Sequence, residues 1–355
     1  MQSILKKVGL AVLLLSLAIV VLGFDFLRHG GQFKTLAPHF AGSCVALPMR
    51  ASAEDIQIDR PRGVAYLSYL DRRGQIEGKP VLGTVMLLDL SVPVPRPRPA
   101  LTIEPANFRP HGMSLYRAGD GSERLFVISH PPGAPHRVEV FEQGLTGAFM
   151  PVRSISDPLL VKPNAILAVG PNQFYVANDS GASSGFGRAI EMLFRRGLST
   201  LLFFDGEKFR VVDSGIQSGS GIAMSLDGAQ IYVSETAGNR LRVYSRKPTS
   251  GNVVLIETID VGSAPDNINV AGDGSVWLAA HPVTPALIRH FRDARKLSPT
   301  QIFKLLPGVQ AGARLTEIYL NAGEQISAGS VAAVFGSEML VGSITDRKIL
   351  RCRLP

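Results

Sequence analysis

Six times along this chain, a polar or small residue opens a short apolar run, a turn follows, and a second apolar run closes the unit. The units open at Glu54, His111, Asn164, Ser220, Asp266 and Ser330, and close near Leu70, His130, Asp179, Thr236, His281 and Ile344. Every turn carries glycine. Three of the turns hold an Asp-Gly pair (Asp120-Gly121, Asp227-Gly228, Asp273-Gly274), which suits the positive φ of a tight hairpin. Long self-similar hairpin units predict an all-β fold, a six-bladed β-propeller. If each first strand begins near the central axis, Glu54, His111, Asn164, Ser220 and Asp266 converge there. Two carboxylates, an imidazole, an amide and a hydroxyl gathered at one point make a site for a hard cation.

With 355 residues, 45% of them hydrophobic, the chain can bury the core of one closed ring. Its 37 Lys and Arg against 29 Asp and Glu give a formal charge of +8. The basic residues are scattered, and no RNP, zinc-finger or helix-turn-helix pattern occurs, so nucleic acid is not expected as a partner. A surface facing anionic lipid accounts for the charge more simply, given the N-terminus. There, Lys6 and Lys7 precede an uncharged stretch from Val8 to Phe24, followed directly by Asp25 with no small-x-small cleavage pattern. Residues 1–30 therefore read as an uncleaved signal-anchor helix with the lysines inside and the body outside. A cleaved signal peptide is the alternative, and both place the body (residues 44–355, the propeller) outside the cytoplasm.

The two cysteines, Cys44 and Cys352, stand at the two ends of that body. An even pair in an exported chain is a disulfide candidate, and in a ring the first and last segments must meet. On the chain-entropy argument, a loop this long gives an upper figure of about 5 kcal/mol. The Val92–Pro99 segment is proline-rich and reads as an outer connection rather than a central strand. Residues 188–198 read as a short amphipathic helix, with Ile190, Leu193, Phe194 and Leu198 at helical spacing and Arg188, Arg195 and Arg196 on or beside that face. Such a helix either caps the propeller or rests on a membrane. There is no Gly-x-Ser-x-Gly elbow, no His-Glu-x-x-His and no phosphate-binding loop.

Between Cys44 and Cys352 the chain resembles the serum paraoxonase and arylesterase family. The likeness is carried by Ala53-Glu-Asp-Ile56, Arg109-Pro-His-Gly-Met-Ser114, Val127-Ile-Ser-His-Pro131, Pro163-Asn164 through Ala168-Val-Gly-Pro171, Ala177-Asn-Asp179, Pro265-Asp-Asn-Ile268 and Ala280-His-Pro282. The resemblance implies a six-bladed propeller with calcium in its tunnel that hydrolyses lactones and aryl esters, and an N-terminal segment retained for lipid association. Carried over by position, the ligands of the catalytic calcium are Glu54, Asn164, Asp266 and Asn267, with Ser220 where the family has asparagine. The family's second, structural calcium would fall on Asp55, the Met113 carbonyl and Ala165. Alanine stands there in place of an aspartate, so that site is expected to be lost or very weak.

By the same resemblance His111 is the base that activates water, His130 its partner, and Asp179 the carboxylate that orients that partner; Asp266 is a rival base. His281 reads as a wall residue near the site, and Trp277 as core or pocket wall. Three functions compete: a membrane-anchored calcium-dependent lactonase and arylesterase, a non-catalytic calcium-binding propeller scaffold, and a propeller of the gluconolactonase or strictosidine synthase kind.

Overall fold

A computed structural model describes residues 2–308 and 314–355; Met1 of the expected 1–30 segment lies outside them. The chain forms six antiparallel sheets, four of them running in sequence order from an inner strand outward and two finished on the outside by strands from before the first blade. This is the six-bladed propeller that the repeats predict. The inner strands are Ser52–Asp59, Pro110–Arg117, Pro163–Ala168, Gly219–Met224, Ala264–Val270 and Gly329–Phe335. Five blades have four strands, and the blade that starts at Ala264 gains a fifth, His39–Phe40, paired with Leu315–Asn321. In the first blade the outermost strand is only Arg98–Pro99, the end of the proline-rich segment, as a residue without an N–H requires.

The core lies between blades. Each of six apolar clusters joins two neighbouring sheets, as where Phe126, Ile128 and Val140 of the second blade meet Ile166, Phe174 and Val176 of the third. The last blade is completed by the first long strand: Ser43–Pro48 pairs along Lys348–Arg353, with Cys44 opposite Cys352. The two cysteines form a disulfide across a sequence separation of 308.

One register irregularity recurs in all six inner strands. Pairing with the second strand breaks between Ala53 and Ile56, Pro110 and Met113, Pro163 and Ala165, Gly219 and Gly221, Pro265 and Ile268, and Gly329 and Val331. The residues inside the breaks are Glu54, Asp55, His111, Gly112, Asn164, Ser220, Asp266, Asn267 and Ser330. A bulge re-aims a side chain that regular alternation would send into a blade interface. Glycine follows His111 and Ser220 because the inner strands crowd one another there. A Cβ on Gly112 would stand 2.3 Å from the Asn164 carbonyl oxygen, and one on Gly221 would stand 2.3 Å from that of Asp266.

Helix α1 spans Gln2–His29, and its Ile4–His29 part is long and apolar enough to cross a membrane, with mean hydropathy 2.7. Most of its apolar side chains up to Phe24 are exposed, whereas its last turn is fastened to the propeller. His29 Nε2 lies 2.9 Å from the Ala237 carbonyl, Asn239 Nδ2 donates to the His29 carbonyl (2.9 Å), and Arg195 pairs with Asp25 (2.6 Å). Three short helices, α2 (Arg72–Ile76), α3 (Gly185–Leu193) and α4 (Thr284–Arg292), follow the second strands of blades one, three and five. Those strands end on the face where inner strands begin, so all three helices stand on one mouth of the tunnel.

The helix expected over 188–198 corrects to α3. It starts earlier because Ser184 caps it, accepting from the Gly187 N–H. It ends earlier because Arg195 takes a left-handed φ of 49°, which breaks the helical run before Leu198.

Candidate functional site

Glu54 stands at the centre of the helix-bearing mouth, on the inner strand of the first blade, and is buried. Asn267 Nδ2 donates both to its carbonyl (3.0 Å) and to Oε1 (2.8 Å), and Ser330 Oγ donates to the same carbonyl (2.7 Å). Its other carboxylate oxygen, Oε2, has no hydrogen-bond partner and lies 3.7 Å from the guanidinium of Arg72 in α2. His111 Nε2 lies 3.8 Å from Oε1. Asn164 Oδ1, two blades on, is likewise buried without a partner. Asp266 Oδ2 meets His281 Nε2 at 3.1 Å. Ser220 Oγ lies 2.6 Å from Thr236 Oγ1, which also lies 2.6 Å from the Pro265 carbonyl. A carbonyl only accepts, so Thr236 gives its proton to Pro265, and Ser220 turns its own proton to Thr236. The serine lone pairs are left free.

Burial pushes the carboxyls of Glu54 and Asp266 upward, opposed by Arg72 at the first and by His281 at the second. The same burial, reinforced by Arg72, holds the His111 imidazole well below the ordinary histidine range, and burial and His111 do the same for His130. Two buried carboxylates that resist ionisation alone are stabilised as anions by a cation between them. Among the described residues, no three His, Cys, Asp or Glu side chains are grouped to hold a metal by themselves. A cation here would rest on two carboxylates together with amide and hydroxyl oxygens, a set suited to a hard ion.

The histidines form a file. The rings of His111 and His130 meet edge to face at 5.0 Å, and His130 Nδ1 lies 2.8 Å from His136 Nδ1. His130 Nε2 has no partner. Asp179, expected beside His130, instead accepts from Ser218 Oγ (3.3 Å), and the side chain bonded to His130 is His136. Sequence reasoning gave His136 no role, although its place six residues after His130 in a proline-rich loop was the available signal. Arg72 was missed as part of a polar loop, and only its burial in the fold reveals it. Trp277 is buried in the fifth blade, its Nε1–H donating to Ser275 Oγ (2.9 Å). The opposite mouth has a cavity of about 420 Å³, lined by residues such as Gln57, Asp59, Arg117 and Asn269, and none of the candidate residues reaches it.

The chain matches the arylesterase family over residues 49–354. It is 27% identical to serum paraoxonase/arylesterase 1 of Rattus norvegicus, over 89% of this chain and 90% of that protein. With serum paraoxonase/lactonase 3 of the same species it shares 26% identity, over 98% and 99%. Among solved structures, the calcium-binding protein regucalcin from Agrobacterium tumefaciens superposes with a TM-score of 0.55 at 12% identity, covering 90% of this chain and 98% of that one, a likeness of fold. A match across nearly the whole propeller, with relatives aligned almost end to end, makes this chain a member of the arylesterase family.

Proposed function

We propose that the chain hydrolyses lactones and aryl esters at the helix-bearing mouth of the tunnel, with a calcium ion held by Glu54, Asn164, Ser220, Asp266 and Asn267. The observation that carries this reading is the pair of buried, unpartnered oxygens, Glu54 Oε2 and Asn164 Oδ1, beside a histidine held neutral. A buried acceptor without a donor is costly, and a bound cation removes that cost. The names of the paraoxonase relatives supply the substrate class. Calcium bound there would supply charge stabilisation for the carbonyl oxygen as it turns into an oxyanion.

The protein's own groups do the rest. A neutral His111 takes the proton of the attacking water, which a protonated imidazole could not. His130 packs against the His111 ring, and its own Nδ1 is held by His136. Arg72 opposes the upward push that burial gives the Glu54 carboxyl, and so favours its anion at the metal. Helix α1 tethers the body outside the cytoplasm at a membrane surface, and its fastened last turn sets the mouth toward that surface. Assay of the full chain in detergent on a panel of lactones and phenyl acetate, with and without a chelator, tests the proposal. Hydrolysis that the chelator abolishes is the expected result. Calcium binding without hydrolysis of any ester or lactone would leave only a scaffold.

One calcium ion per chain is expected rather than two. Both oxygens of Asp55 are already taken, Oδ1 by the Ile56 N–H and Oδ2 by the Met113 N–H, each at 2.7 Å. Its carboxyl is pushed up to about 7 by burial and by Glu54, and Ala165 offers no side-chain oxygen. Metal analysis of dialysed protein that returned two calcium ions would contradict this.

A further inference from the structure

A cavity of about 300 Å³ opens beside the candidate site, walled in part by Asp179, Arg188, Met192, Arg196 and Ser218. Ser218 stands two residues before Ser220, and Asp179 follows the second strand of the Asn164 blade, so the cavity adjoins the Asn164 and Ser220 side of the site. Its wall carries two arginines, Arg188 and Arg196, and two carboxylates, Asp179 and Glu191. Glu191, also on the wall, is consumed internally: Oε2 accepts from Ser180 Oγ (2.6 Å) and the Gly181 N–H (3.1 Å), and Oε1 from Ser199 Oγ (3.3 Å). Among the described residues, the Arg188 guanidinium makes one hydrogen bond, Nη1 to the Ser183 carbonyl at 2.6 Å, leaving most of its donors free. Asp179 accepts from Ser218 Oγ (3.3 Å), and its N–H donates to the Lys162 carbonyl (2.8 Å), which sets Lys162 beside it. Met192 and the methyl groups of Ala189 and Ala237 make the remaining wall apolar.

We propose that this cavity seats an acidic end of the substrate, so that the preferred lactones and esters carry a carboxylate on their chain, bound by Arg188 with Arg196 and Lys162 close by. The inference rests on the hydrolase reading above. A guanidinium with free donors forks onto a carboxylate with two parallel bonds, which a neutral chain cannot accept. The apolar wall takes the methylenes between the acid and the scissile carbonyl. The same chemistry could serve an anionic lipid headgroup, and the experiment separates the two.

Monophenyl adipate and phenyl hexanoate differ only by a terminal carboxylate in place of a methyl. The full chain in detergent is expected to favour the adipate in kcat/KM. Arg188→Gln is expected to cut the ratio of the two values by about tenfold, the lower end of the worth of a charge-assisted bond at a half-open site; Arg188→Lys should restore part of it. A ratio unchanged by Arg188→Gln overturns the proposal. So does an Arg188→Gln protein that loses binding to phosphatidylglycerol–phosphatidylcholine vesicles yet keeps the ratio, which would assign the arginine to headgroups. If neither ester is hydrolysed, the hydrolase reading falls, and calorimetric titration with adipate decides this one. Binding by the parent but not by Arg188→Gln sustains it, and absence of binding by the parent overturns it.

Discussion

Replacing His111 by glutamine lowers kcat on lactones and phenyl acetate by about 10²–10⁴, the usual worth of a positioned base, while calcium stays bound. Glutamine keeps a polar side chain at the bulge but cannot take a proton. His111 is not among the proposed ligands, so its loss leaves the metal count alone. The pH profile gives a second readout. Burial and Arg72 hold this imidazole well below the ordinary histidine range, and a neutral base fails only when protonated. Activity in the parent should therefore persist as the pH falls through 6.5 and collapse further down, and the His111→Gln residue should lack that limb. His130→Gln should cost less, because His130 acts through its neighbour, and His136→Gln less again, because it stands one step further out. A His111→Gln protein that turns over at the parent rate would move the base elsewhere, with Asp266 the first suspect.

Glu54→Gln should remove calcium and activity together. Glu54 is one of only two carboxylates in the proposed set, and losing the metal forfeits several kcal/mol of transition-state stabilisation, a factor above about 10³. The substitution also strands Arg72, a buried guanidinium whose carboxylate partner is Glu54 at 3.7 Å. Breaking a buried pair on one side costs about 3–5 kcal/mol, so a lower Tm is expected, and lost activity by itself would not separate metal loss from unfolding. The double change Glu54→Gln with Arg72→Met does separate them, because it removes both charges: Tm should recover while calcium binding and hydrolysis do not. Retention of calcium and turnover by Glu54→Gln would place the metal elsewhere.

The ring was legible because hairpins announce themselves locally. Glycines and Asp-Gly pairs at the turns, with apolar runs on either side, gave all six inner and second strands and the number of blades. The meeting of Cys44 and Cys352 followed from closure alone. What escaped was set by tertiary packing. Nothing in the segment Leu70-Asp-Arg-Arg-Gly says that Arg72 turns inward under Glu54 while Arg73 reaches the carbonyls of His290 and Phe291. The bulges at Glu54, His111 and Ser220 arise where six strands crowd an axis, a condition that no single strand contains. The helix over 185–193 was misplaced by three residues at its start because apolar spacing outweighed the cap at Ser184. The neighbour of His130 was taken to be Asp179, since the proline-rich loop that brings His136 back has no periodic pattern to read.

The strand Ser43–Pro48 belongs to the blade that is made last, and this fixes an order of assembly. That strand leaves the ribosome early, soon after α1, yet its partner Lys348–Arg353 follows far later, Cys44 and Cys352 lying 308 residues apart. Throughout synthesis the early strand therefore waits with an unpaired edge, a template for wrong pairing, while the five complete blades can form behind it. Closure of the circle, and the disulfide that seals it, must wait for Lys348–Arg353, and any chain that stops short of Lys348 is left as an open arc.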